Sequence, residues 1–154
     1  METMRPIEAA TLIIVMQGDQ PKILMGKRAA THKFMPNKFV FPGGRLDLID
    51  QRLQVPKQLS DPVLKRLRKH TRKNVSDNKL RGLALAAVRE TYEETGLIIG
   101  EHTEEKLRTS SGVWQKYFNY GIIYPIVKIK NIGPLYIQRT KSSKCENTVR
   151  YCCN

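Results

Sequence analysis

Arg89-Glu90-Thr91-Tyr92-Glu93-Glu94-Thr95-Gly96-Leu97 places three glutamates on one face of an expected helix and ends it with a glycine. At about 100° per residue, Glu90, Glu93 and Glu94 fall within an arc of roughly 100°. The same stripe carries Leu83, Ala86 and Ala87 in the preceding turns, so an apolar face becomes acidic partway along one helix. Leu85, Val88 and Tyr92 form a second apolar stripe on the opposite side. A helix buried on both sides fits beside a sheet. Three neighbouring carboxylates repel one another and are costly to desolvate unless a cation neutralises them. A bound divalent metal accounts for the pattern; a solvated acidic face is the plainer reading of the same residues.

Upstream, Phe39-Val40-Phe41 reads as a short strand that runs into the turn Pro42-Gly43-Gly44-Arg45. Two successive glycines let backbone groups approach a ligand or ion closely. Alone, such a turn is ordinary; together with the acidic helix it is far more specific. Ala9 to Met16 is expected as one strand and Lys22 to Lys27 as a second, joined through Gly18-Asp19-Gln20-Pro21 into a hairpin. Asp47 to Ser60 is loop-like, and Pro62, at the first helical position after Asp61, starts a basic helix. Asp77 or Asn78 is expected to cap the main helix, which stops at Gly96. Farther on, 112–120 is expected as a helix bearing Trp114, Tyr117 and Phe118, and 122–132 as a strand interrupted by Pro125.

The glycine turn and the acidic helix together resemble the Nudix hydrolases, whose signature runs G-x5-E-x7-R-E-U-x-E-E-x-G-U, with U a bulky apolar residue. Gly44 matches the opening glycine, and Arg89, Glu90, Glu93, Glu94, Gly96 and Leu97 match the closing half. Thr91 replaces an apolar residue, Arg89 lies 45 positions after Gly44, and Arg81 stands eight positions before Arg89, where the pattern has glutamate. Leu24-Met25-Gly26-Lys27-Arg28 followed by Phe41-Pro42-Gly43-Gly44 is similar to insert-bearing branches of the family, the coenzyme A diphosphatases among them. The resemblance implies an α/β fold, an α/β/α sandwich around a mixed β-sheet, incomplete at the C-terminus. Residues 1–134 would form that domain, with a basic insertion at about 48–78 and a divergent, poorly ordered tail at 135–154.

The implied activity is Mg²⁺-dependent hydrolysis of the pyrophosphate in a nucleoside diphosphate linked to another group X. Mn²⁺ is the alternative ion, since both take hard oxygen ligands. Glu93 and Glu94 would hold metal with the Gly44 carbonyl; Glu90 would complete the cluster or deprotonate the attacking water. The base is not assigned among them. Arg89 can hold Glu93 as an i,i+4 pair. Lys27, Arg28 and Arg45 are candidate phosphate contacts, each equally a plain surface cation, and His32 and His70 have no partner at metal-ligand spacing.

The 154 residues carry 27 Lys and Arg against 14 Asp and Glu, a net charge of +13. That balance favours polyanionic partners and says little about fold. The cations concentrate in 64–73, LKRLRKHTRK, either a solvated surface helix or a patch facing a phosphate-rich substrate. RNA is a candidate partner, although aromatic residues that stack bases are missing from the run. No apolar run approaches membrane-span length, and Cys145, Cys152 and Cys153 make no disulfide framework. A cytoplasmic protein with no membrane partner is expected. After Glu105 the only acidic residue is Glu146, so the chain reads as cut short or altered near 125–135. This leaves two alternatives to turnover: an inactive Nudix-like module binding nucleotide or RNA, and a truncated product.

Overall fold

Short runs of apolar and β-branched residues near the N-terminus pair with the glycine segment, and one long helix packs across the result. The computed structural model describes residues 7–32, 35–56, 59–69, 71, 74–123 and 149–153, the last of these by backbone alone. Its strands are β1 (Ala9–Thr11), β2 (Val15–Met16), β3 (Lys22–Arg28), β4 (Phe39–Val40), β5 (Gly43–Arg45), β6 (Glu101–His102), β7 (Ile122–Ile123) and β8 (Val149–Cys153). Its helices are α1 (Leu48–Arg52), α2 (Asp61–Lys69), α3 (Asp77–Thr95) and α4 (Gly112–Phe118).

The strand expected over residues 9–16 divides in two because the chain changes partner. β1 pairs antiparallel with β5, whereas β2 pairs antiparallel with β3 in the expected hairpin. Between them the Leu12 amide donates to the Pro42 carbonyl (2.9 Å), and the Ile14 carbonyl accepts from the Leu24 amide (3.0 Å). β4 lies along β3, with Gly26 opposite Val40. β8, within the segment expected as a poorly ordered tail, pairs with β3 from Leu24–Cys153 to Arg28–Val149. All pairings among the described residues are antiparallel. The expected break near 125–135 and Glu146 lie outside the described residues.

α3 is capped one residue before the nearer of its expected caps. Ser76 is the N-cap, its hydroxyl accepting from the Lys79 amide, and Gly96 closes the helix in the left-handed conformation. The two apolar stripes are buried, apart from the half-buried Tyr92. Leu83 and Ala87 face β1 through Ala10, with Leu12 and Leu46 beside them. Leu80, Leu85 and Val88 join Leu53, Leu59, Leu67, Trp114 and Tyr117 in the larger core. One helix thus serves two apolar layers, and the packing of its earlier turns sets its acidic turn at their edge, with Glu90 and Glu94 half-buried and Glu93 exposed.

The basic helix α2 contributes Leu67 to that core and leaves Lys65, Arg66, Arg68 and Lys69 exposed. Arg68 pairs with Asp77 at the start of α3. The glutamates sit near the other end of α3, roughly 20 Å away at 1.5 Å per residue. At the far side of the core, Ser111 caps α4. The Tyr117 hydroxyl there accepts from the Ile99 amide (3.0 Å) and donates to the Ile99 carbonyl, and burial pushes its pKa up to about 12.

Candidate functional site

Gly43 and Gly44 were expected in a turn; they lie in strand β5, with Gly44 opposite Ala10 of β1. The strand runs directly under the acidic turn of α3. A Cβ on Gly44 would stand 2.2–2.5 Å from the Glu90 carboxyl group, so any larger residue there would have to displace that carboxyl from its place. The Gly43 amide donates to Glu94 Oε2 at 3.3 Å. Sheet pairing on one side and core burial on the other therefore bring the two halves of the sequence pattern together.

Arg89 is buried and organises the cluster. Its Nη1 donates to Glu93 Oε2 at 2.6 Å, the expected i,i+4 pair, and to Glu90 Oε1 at 3.1 Å. Its Nη2 donates to the Arg45 carbonyl at 2.9 Å. On the opposite side its Nε and Nη2 each lie 3.0 Å from a carboxylate oxygen of Asp50. Burial works against the guanidinium charge, but Asp50, Glu90 and Glu93 outweigh it and hold the pKa above the ordinary arginine value.

Asp50 is the residue that sequence reading missed. It lies on α1, inside the segment expected to be loop, and is fully buried. A usable signal was present: Asp50 is the sixth residue after Gly44, the place of the first glutamate in G-x5-E. Counting back from Arg89 reached Arg81 instead, because the insertion falls between Asp50 and Arg89. Arg81 ties α3 to α1 by donating from Nη2 to the Gln51 carbonyl at 2.9 Å. Close approach of the two helices is possible because Gly82 faces Gln51; a Cβ there would meet Gln51 Cγ at 2.8 Å.

Burial pushes the Glu90 carboxyl up to about 7; Arg89 opposes the rise, and the negative charges of Glu93 and Glu94 add to it. One buried cation thus faces Asp50, Glu90 and Glu93, with Asp47 at 3.4 Å from it, while Glu94 accepts from the Gly43 amide beside them. Such an excess of hard oxygen donors suits a divalent cation. Among the described residues no three acidic, imidazole or thiolate groups are gathered into a preformed metal cage. Mg²⁺ does not need one, since one or two carboxylates with waters and substrate phosphates complete its shell. Glu90, Glu93 and Glu94 carry hard oxygen donors of the kind such an ion takes, whereas the Asp50 carboxylate is taken up by Arg89, Trp114 and the Asp47 amide.

Of the candidate phosphate contacts, Arg45 lies at the end of β5 beside the cluster, joined to it through its carbonyl. Lys27 and Arg28 lie on β3, in a different sheet from β5.

A NUDIX hydrolase from Alicyclobacillus acidocaldarius, known from its crystal structure, superposes with a TM-score of 0.57 at 20% identity, covering 81% of this chain and 59% of that one. The fold is that of the Nudix hydrolases. In sequence, a Caenorhabditis elegans protein named as nudix hydrolase 7 is 33% identical over 90 residues, which are 58% of this chain and 21% of the relative. The chain therefore spans about a fifth of that relative and under two thirds of the Alicyclobacillus chain. No family model matches the sequence. Within this fold, the Gly43–Gly44 strand lies against the Glu90–Glu94 turn of α3. No helix among the described residues is long and apolar enough to cross a membrane.

Proposed function

We propose that this chain is a Nudix hydrolase that cleaves the pyrophosphate of a nucleoside diphosphate joined to a further group X. The supporting observation is the meeting of Glu90 and Glu94 with the Gly43–Gly44 strand around a buried Arg89. In this reading Glu93 and Glu94, with the Gly44 carbonyl, hold Mg²⁺ or Mn²⁺. The bound ion would neutralise the diphosphate charge and lower the pKa of attacking water.

The remaining work falls to the chain's own groups. Glu90, with its carboxyl raised to about 7, is poised to accept a proton from water near neutral pH; completing the metal-binding set is its alternative role. Arg89 is the positioning group: its ion pair fixes Glu93 while Asp50 anchors the guanidinium from behind. Arg45, at the end of β5, would meet substrate phosphate, with Lys27 and Arg28 on β3 as the other candidate phosphate contacts. The nucleoside and X would be selected by residues outside the acidic helix.

The test is hydrolysis of a panel of diphosphate substrates with and without Mg²⁺, with products identified by mass, beside Glu93→Gln. Turnover that requires Mg²⁺ and vanishes in the variant supports the proposal. A folded chain without turnover on any substrate counts against it. Binding without turnover is the second reading, favoured by the exposed cations of α2 remote from the glutamates. Metal-independent nucleotide or RNA binding that weakens steeply with salt would select it.

A further inference from the structure

Asp50 is fully buried, yet its carboxylate meets four donors. Oδ1 accepts from Arg89 Nε and from the Trp114 indole Nε1, both at 3.0 Å. Oδ2 accepts from Arg89 Nη2 and from the Asp47 amide, again at 3.0 Å. A buried carboxylate with every bond made has one orientation available to it. Three of those donors come from its own helix start or from Arg89. The fourth comes from α4, 64 positions along the chain and beyond the acidic helix altogether.

Trp114 is itself well fixed. It is 1% exposed, and its ring packs against Tyr117 and Phe118 at centroid distances of 5.3 and 6.0 Å. α1, by contrast, has only five residues, too few to hold a side chain by helix formation alone. The continuous path is therefore Trp114 to Asp50, Asp50 to Arg89, and Arg89 Nη1 to Glu93 at 2.6 Å. We infer that Trp114 is a positioning residue for the glutamate cluster, its indole N–H orienting Asp50 so that Arg89 presents Glu93 for Mg²⁺ binding. This rests on the proposed metal-binding role of Glu93. Groups that orient metal ligands from behind commonly change metal affinity about 10- to 100-fold when removed.

Trp114 is the only tryptophan, so its fluorescence reports on this path without a label. The experiment is an Mg²⁺ titration of the full chain, followed by calorimetry and by tryptophan emission. Trp114→Phe removes the indole N–H and keeps an aromatic ring; Phe118→Leu loosens the same aromatic packing and keeps the N–H. Trp114→Phe is expected to weaken Mg²⁺ binding about tenfold, with Phe118→Leu staying within about twofold of the parent. The parent's emission should change with the calorimetric midpoint, and Glu93→Gln should abolish that change. Mg²⁺ binding unaltered in Trp114→Phe, or weakened equally in Phe118→Leu, overturns the inference and leaves the metal reading intact. If Trp114→Phe does not fold, the parent decides: constant emission through calorimetric saturation overturns the inference. A folded parent that takes up no Mg²⁺ sinks the metal reading, and this inference with it.

Discussion

Replacing Asp50 by Asn keeps the size of the side chain and removes its charge, which isolates the role of the buried ion pair. The Asp50 carboxylate accepts four bonds, two of them from Arg89, and is shielded completely from water. An asparagine amide can accept through only one of its two terminal atoms, so donors on the other side would face an NH₂ group. Arg89, only 6% exposed at its side chain, would lose its buried counter-charge. Removing one partner of a buried pair costs about 3–5 kcal/mol. Glu90 and Glu93 still touch Arg89, which puts the expectation near the lower end, about 3 kcal/mol. Against a typical stability of about 5–15 kcal/mol, that is a large fraction. The melting temperature should fall by about 10 °C for a chain of this size.

Guanidinium unfolding followed by Trp114 emission measures the loss, because the unique tryptophan lies in the core. Asp50→Leu with Arg89→Met should recover much of the stability lost in either single variant, since two buried charges leave together. A cooperative Asp50→Asn variant within about 1 kcal/mol of the parent would refute the argument, as would strict additivity in the double variant.

Two further outcomes follow from the site. In metal-free protein, the Glu90 carboxyl is raised from 4.5 to about 7, so its stabilising contribution is complete below pH 4.5 and is lost as pH rises through 7. Glu90→Gln should remove that slope and gain about 1–3 kcal/mol relative to the parent at pH 8, after allowing for partial exposure and the lost Arg89 bond; parallel denaturation curves from pH 4 to 8 would contradict it. Gly44→Ala should displace the Glu90 carboxyl and cost about 1–3 kcal/mol, with Mg²⁺-dependent turnover falling at least tenfold; unchanged melting and unchanged kinetics would show that the close approach is unimportant.

Much of the local structure was legible from residue order. The 3.6-residue spacing of Leu83, Ala87 and the glutamates identified α3, and Gly96 identified its end, because both depend on near neighbours along the chain. The hairpin of β2 and β3 was readable for the same reason, as was the pairing of Arg89 with Glu93 one turn away. Tertiary contact decided the rest. It split the 9–16 strand between two sheets and drew Gly43 and Gly44, expected in a turn, into the strand beneath Glu90. It also brought Asp50 across 39 positions to Arg89 and Trp114 across 64 to Asp50. Periodicity encodes which face of an element is apolar, but not which distant element will cover it. The sequence alone determined an acidic turn and a glycine pair; only packing determined that the two meet, and that a buried arginine is held between them by an aspartate on a five-residue helix.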